Sequence, residues 1–319
     1  MMTTAPNRHS RPELAPWQYE IGGVVLGTGS YVPIGNVEGL GSPGTRPQDA
    51  DNSNSDGTSP GRDFYGPRPL RFEAGIKTPG DPVKAAEILA RLERALDTPD
   101  ARTSPDGRHV LRGRWPGHAT RRMYGRLRRM EATSTASAVH GWIPLDIEFV
   151  GLDNPRWYDD ELSKLTIGLD QAARPGSGDR TVDEAMGRPA ACRRPADPDH
   201  HPADDRPGWV ANLGDVPTYP SLRVHGPVTG PRIWNTVTRR VLELDLSLRD
   251  GEWVEMETRP GTCWALRNGT VNVAGDLSPA SRLDLFTLPP GRSEIAWSAN
   301  DPSGTARLEV AWRSAYTTL

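Results

Sequence analysis

The chain has 319 residues, long enough for two cores at the usual domain size of roughly 150 residues. Only 35% of them are hydrophobic while 33 glycines and 31 prolines punctuate the sequence, a balance that favours short strands and many turns over helical packing. A net charge of −3 supplies no global attraction to nucleic acid or to an anionic membrane, and no run approaches the ~20 apolar residues that would span a bilayer.

Residues 1–16 are polar and proline-rich, without the apolar core of a secretion signal, so synthesis in a cytosol is expected. Residues 17–26 hold two strand-like runs joined at Gly22-Gly23. Gly27-Thr28-Gly29-Ser30 follows; it lacks the third glycine and the helix of a dinucleotide fingerprint and reads as a turn. From 35 to 68 the composition shifts to Gly, Pro, Asp, Asn and Ser, the profile of a long exposed loop that waits for a neighbour to hold it. One helix is predicted over 81–97: Asp81 is its N-cap, Pro82 takes the first helical position, and Ala85, Ile88, Leu89, Leu92, Ala95 and Leu96 form one stripe. Glu87 and Arg91 sit four apart on its outer side, in the favourable order. Strands are predicted at 110–115, 124–130, 143–150 and 165–169. Residues 170–207 contain almost no large apolar side chain and read as a linker or surface insertion, which divides the chain into a domain over 1–169 and another over 208–319.

The last third is the most regular part. Leu242, Leu244, Leu246 and Leu248 alternate with Glu243, Asp245 and Ser247, the two-residue period of a half-buried strand, and Asp250-Gly251 ends it. Runs at 252–258 and 262–267 follow, the second leading into Asn268-Gly269, the favoured dipeptide of a tight hairpin because both positions need φ > 0. With 221–224, 232–234, 282–288, 293–298 and 306–312, about eight strands recur at the spacing of a two-sheet sandwich or jelly roll.

Few residues suggest chemistry. Asp197, Asp199, His200, His201, Asp204 and Asp205 are metal-ligand types, but the adjacent histidines lack the spacing of a zinc site and the prolines make the segment stiff; a solvated acidic loop is the better reading. Residues 108–129 carry eight arginines with Trp115 and Tyr124 among them, superficially a nucleic-acid surface. On strands, alternate arginines point to opposite faces, so a salt-bridged surface or a subunit contact is expected, with Arg112, Arg114, Arg121, Arg122, Arg126 and Arg128 as the candidates. Trp234, Trp253, Trp264, Trp297 and Trp312 are mostly core residues by type; Trp253, Trp264 and Trp297 are the candidates for a sugar-stacking platform. No serine lies in a nucleophile elbow and no carboxylate pair can be placed at glycosidase spacing, so no catalytic residue, cofactor site or metal site is assigned. Cys192 and Cys263 lie far apart in differently composed regions and do not predict a disulfide.

Tyr219-Pro220-Ser221-Leu222-Arg223-Val224-His225-Gly226-Pro227, Ile233-Trp234-Asn235, the run from 242 to 251, the Asn268-Gly269 hairpin, Ser278-Pro279-Ala280-Ser281, Leu288-Pro289-Pro290-Gly291-Arg292-Ser293-Glu294-Ile295 and Val310-Ala311-Trp312-Arg313-Ser314-Ala315-Tyr316 together resemble the distal tail proteins of long-tailed, siphovirus-type bacteriophages. Gly22-Gly23-Val24-Val25-Leu26-Gly27, Val37-Glu38-Gly39-Leu40-Gly41 and Asp153-Asn154-Pro155-Arg156-Trp157-Tyr158 are similar to the family's actinobacteriophage branch. The chain departs in having Ser293 where the family often has Asn and Leu283-Asp284-Leu285 where a Trp pair is common. The resemblance implies a mainly β protein: an N-terminal sandwich or barrel-like domain with one helix, and a C-terminal sandwich of galectin-like or carbohydrate-module-like fold. It further implies a non-enzymatic, homohexameric hub at the virion tail tip, made in the host bacterial cytoplasm. Its partners would be the tail tube protein and tail-tip or receptor-binding proteins, with no nucleic-acid role. The alternative is a module that binds host cell-wall glycan through the tryptophans.

Overall fold

The computed structural model describes residues 12–104, 107–152, 154–169, 208–301 and 303–319. The protein is mainly β and divides into two compact units, the chain up to Glu161 together with Ala315–Leu319, and Leu162–Ser314. This division falls earlier than the composition shift at 170. Ser163–Gly168 pairs along its whole length with Arg307–Trp312 and buries Ile167 in the second core. At the other end, Ala315–Tyr316 pairs with Trp157–Asp159, and Leu319 joins the core of the first unit. The acidic His200-His201 segment and Cys192 lie outside the described residues.

The first unit is built on one antiparallel sheet, in the order Val24–Gly27, Gln18–Ile21, His109–Arg114, Arg121–Ala132, Trp142–Gly151, Arg68–Lys77, Ile34–Glu38. Burial alternates along Trp142–Gly151, placing Ile143, Leu145, Ile147 and Phe149 inward, as a sheet wetted on one face requires. In the loop that leads from Val24–Gly27 toward Ile34–Glu38, the Gly27 N–H donates to the Val32 carbonyl at 2.8 Å. The helix Pro82–Leu96 packs on its inner side through Ala85 and Leu92. Its start is set by Asp81, whose side chain accepts from the Lys84 N–H at 2.9 Å. Near its end, a Cβ on Gly22 would lie 2.2 Å from the Ala95 methyl, so the tight turn between the first two strands needs glycine for both its positive φ and this close approach.

The 35–68 stretch holds more structure than an open loop. Ile34–Glu38 forms the sheet's last strand, and beyond it the chain folds into a hairpin arm with two short ladders, Thr45–Arg46 with Phe64–Tyr65 and Ala50–Asp51 with Thr58–Ser59.

The second unit is a sandwich. One sheet runs Ser163–Gly168, Arg307–Trp312, Ser221–His225, Trp253–Glu257, Trp264–Arg267, Val271–Asn272; the other runs Trp209–Asn212, Gly291–Asn300, Val228–Asn235, Val241–Glu243, with Ser247–Leu248 also on Val228–Asn235. Leu222, Val224, Val254, Met256, Leu308 and Val310 from the first face Ile233, Leu242, Ile295 and Trp297 from the second. The Asn268-Gly269 turn has both φ values positive, 51° and 74°.

Two predicted strands are realised differently. The leucine run 242–248 is broken, because Gly230 at φ 60° and Pro231 bulge the partner strand; Leu244 instead bridges to Leu277. Residues 282–288 contain a 3-10 turn at Leu283–Leu285, since Leu283 and Phe286, three apart, are the residues that face the core.

Candidate functional site

The arginine-rich strands bring their charges into one network. Glu20, Arg112 and Arg122 stand in register across three neighbouring strands. Asp160 closes the group: its Oδ2 accepts from Arg112 at 2.6 and 3.0 Å, its Oδ1 from Arg122 at 2.5 and 2.9 Å. Arg112 also binds Glu20 and the Pro12 carbonyl, and its side chain is 1% exposed. Burial works against the charge on Asp160, yet hydrogen bonds from Arg112 and Arg122 outweigh it and hold the carboxyl below its ordinary range. Burial likewise opposes the charge on Arg112, and Asp160 and Glu20 reverse it.

The other candidates are placed one by one. Arg114 donates to the carbonyls of Leu14 and His118 and pairs with Glu13 at 3.1 Å. Arg121 lies on the opposite face from Arg122; it donates to the Thr318 carbonyl at 2.7 Å and stacks 3.6 Å above the Tyr316 ring. Arg126 donates to the carbonyls of Ser104 and Gly107. Arg128 is exposed at a bulge, between Leu127 opposite Phe149 and Arg129 opposite Glu148. Five of the six thus bind groups within the first unit, and Arg128 points to solvent.

The tryptophans are not brought together. Trp297 is 1% exposed, inside the second core. Trp253 and Trp264 are half-buried on the outer face of the other sheet. Trp264 stands opposite Glu257, four residues along from Trp253, which carries the Arg223 guanidinium 4.4 Å over its ring. On the same face a concavity of about 340 Å³ is lined by Lys164, Thr166, Ser221, Arg223, Glu255 and Glu309 among others. Within it Arg223 pairs with Glu255 at 2.8 Å and Glu309 with Arg307 at 3.8 Å, and His225 lies 2.9 Å from Glu309.

Most of the arm is open to solvent, and the Arg156 guanidinium lies 4.5 Å over the Tyr65 ring. Phe64 and Tyr65 are 43% and 45% exposed, and nearly every other residue from 44 to 65 is open to solvent. Two-stranded ribbons are marginal in water without packing on one face. Its base is secured by Arg68, fully buried beneath it, which donates to the carbonyls of Gly39, Leu40 and Thr317. Nothing in the sequence singles out Arg68, which sits between two prolines and reads as the end of a loop.

Among the described residues no group of three or more His, Cys, Asp or Glu could hold a metal ion, and no helix is long and apolar enough to cross a membrane. The sequence matches no protein-family model and no curated protein. Solved structures do match. The SPP1 Dit protein, described as a paradigm of the hub adsorption apparatus in phages that infect Gram-positive bacteria, is 12% identical with a TM-score of 0.56, over 93% of this chain and 98% of that one. A chain of the phage P2 baseplate in its activated conformation, with Ca or with Sr, is 9% identical with a TM-score of 0.51, over 92% of this chain and 97% of that one. At such identities the likeness carries the fold alone: along nearly its whole length this chain has the mainly β fold of the SPP1 Dit protein and of a phage baseplate chain.

Proposed function

We propose that the chain is a structural, non-enzymatic subunit of a phage tail tip, made in the host bacterial cytoplasm, whose copies close into a hexameric hub ring. The hub joins the tail tube protein to tail-tip or receptor-binding proteins. The observation that carries this reading is the extent of the likeness to the SPP1 Dit protein, which spans both units and not the sandwich alone. The resemblance in the sequence points the same way. Cyclic closure also suits the molecule physically, because a subunit that pairs with neighbours all round leaves no edge or arm uncovered.

In this reading the arm, with Phe64 and Tyr65, and the exposed Arg128 contact the adjacent subunit, while the buried network around Arg112 fixes the shape of the strands that present them. The galectin-like sandwich faces outward as the adaptor. Light scattering of the purified full chain across a range of concentrations tests it. A hexamer, alone or in equilibrium with smaller species, is expected, with antibody labelling at the tail tip of intact particles. A monomer at every concentration, together with absence from purified tails, sinks the proposal.

A further inference from the structure

A second concavity, of about 460 Å³, lies on the outer face of the other sheet of the sandwich and is lined by Arg232, Trp234, Asn235, Thr236, Arg239, Val241 and Ser298. Arg223, Arg259, Arg267, Arg282 and Arg307 of this unit each lie beside a carboxylate, whereas no carboxylate or other side-chain partner engages Arg232 or Arg239. Glu243 stands opposite Arg232 in strand register yet makes no ion pair with it, and no acidic residue lines the hollow.

The backbone holds these groups firmly. Trp234 is half-buried, with Ala296 and Val241 as its neighbours in register. Asn235 ties the following turn: its Oδ1 accepts from the N–H groups of Val237 and Thr238, and its own carbonyl accepts from the Arg239 N–H at 2.9 Å. Arg239 sits at φ 55°, the left-handed region that glycine or asparagine fills at least cost. An arginine there is strained, and its side chain is aimed from a rigid turn.

We infer that this hollow is a binding site for an acidic saccharide, a sugar ring bearing a carboxylate or a phosphate. The indole of Trp234, in the lining of the hollow, suits the apolar C–H face of a pyranose. The two free guanidiniums present paired donors to an anionic group, the geometry in which Arg surpasses Lys. Ser298 and Thr236 supply hydroxyl partners for ring hydroxyls. Every residue in the site belongs to the second unit.

Saturation-transfer NMR on the full chain, with glucose, glucuronate, glucose 6-phosphate and inorganic phosphate as probes, tests the inference. Glucuronate or glucose 6-phosphate should bind, and more tightly than glucose; the ranking of the two identifies the preferred anion. Arg232→Ser with Arg239→Ser, both exposed and remote from the core, should weaken that binding by at least about tenfold without moving the melting temperature. Trp234→Leu should abolish discrimination between glucose 6-phosphate and inorganic phosphate. The inference is overturned if no acidic sugar binds, if the double arginine variant binds as well as the parent, or if inorganic phosphate competes as strongly as its sugar ester in the parent chain.

Discussion

Asp160 receives four hydrogen bonds from two guanidiniums, and one of these, on Arg112, is fully buried. Removing one partner of such a group leaves a buried charge without compensation, which costs more than the intact pair contributes. Asp160→Asn is therefore expected to destabilise the protein by about 3 kcal/mol in urea unfolding, whereas Arg128→Ser should change stability by less than about 0.5 kcal/mol. A pH dependence follows from Asp160 and from two histidines, His109 and His225, whose folded values burial lowers. The carboxyl of Asp160 is depressed in the folded state, so its contribution is present above the unfolded value and is lost as pH falls through the folded one. For His109, burial first and the nearby Arg126 second lower the folded pKa below 6.5, against the Ala95 carbonyl, while its Nδ1 accepts from the Leu127 N–H at 2.9 Å. Between the two values the unfolded chain binds the proton and the folded one does not, so stability declines as pH drops below about 6.5. Thermal melts from pH 8 to pH 5 should show this decline, and His109→Asn should flatten part of it; an unchanged slope in the variant would remove His109 from the account.

At the scale of elements, the helix and the arm behave in opposite ways. The helix is fixed by its own cap and by Ala85 and Leu92 against the sheet. Asp81→Ala removes the side-chain acceptor for the Lys84 N–H and should cost about 1 kcal/mol. The arm contributes little to the core, since its side chains are nearly all exposed. Replacing residues 42–65 by a short turn should leave the melting temperature within a few degrees of the parent while shifting the light-scattering mass toward the monomer. A large loss of stability instead would show that the arm belongs to the fold of its own subunit.

At the scale of the whole molecule, the first unit is completed by residues distant in sequence. Ala315–Tyr316 adds to Trp157–Asp159, the carbonyls of Thr317 and Thr318 accept from Arg68 and Arg121, and Leu319 is buried in the core. Deleting residues 315–319 removes all of these at once. The first unit should then lose several kcal/mol and become sensitive to proteases near Arg121, while Ser163–Gly168 and the strands from Trp209 to Trp312 stay resistant. Equal sensitivity of both units would contradict this separation.

Short-range periodicity was enough to read a helix over 81–97, found at Pro82–Leu96, the turn at Asn268-Gly269 and most strands, because caps, positive-φ dipeptides and alternating burial are local properties of the chain. The sandwich class of the last third followed from the spacing of those turns. What only the tertiary structure decided depended on partners far away in sequence. Ser163–Gly168 joined the second unit because Arg307–Trp312 offered it a full ladder, the leucine run broke because Pro231 bulged its neighbour, and five arginines went to carbonyls and carboxylates up to 197 residues distant. A row of arginines looks the same whether it faces solvent or a buried Asp160. That difference is set by desolvation and pairing, which exist only after the strands have come together.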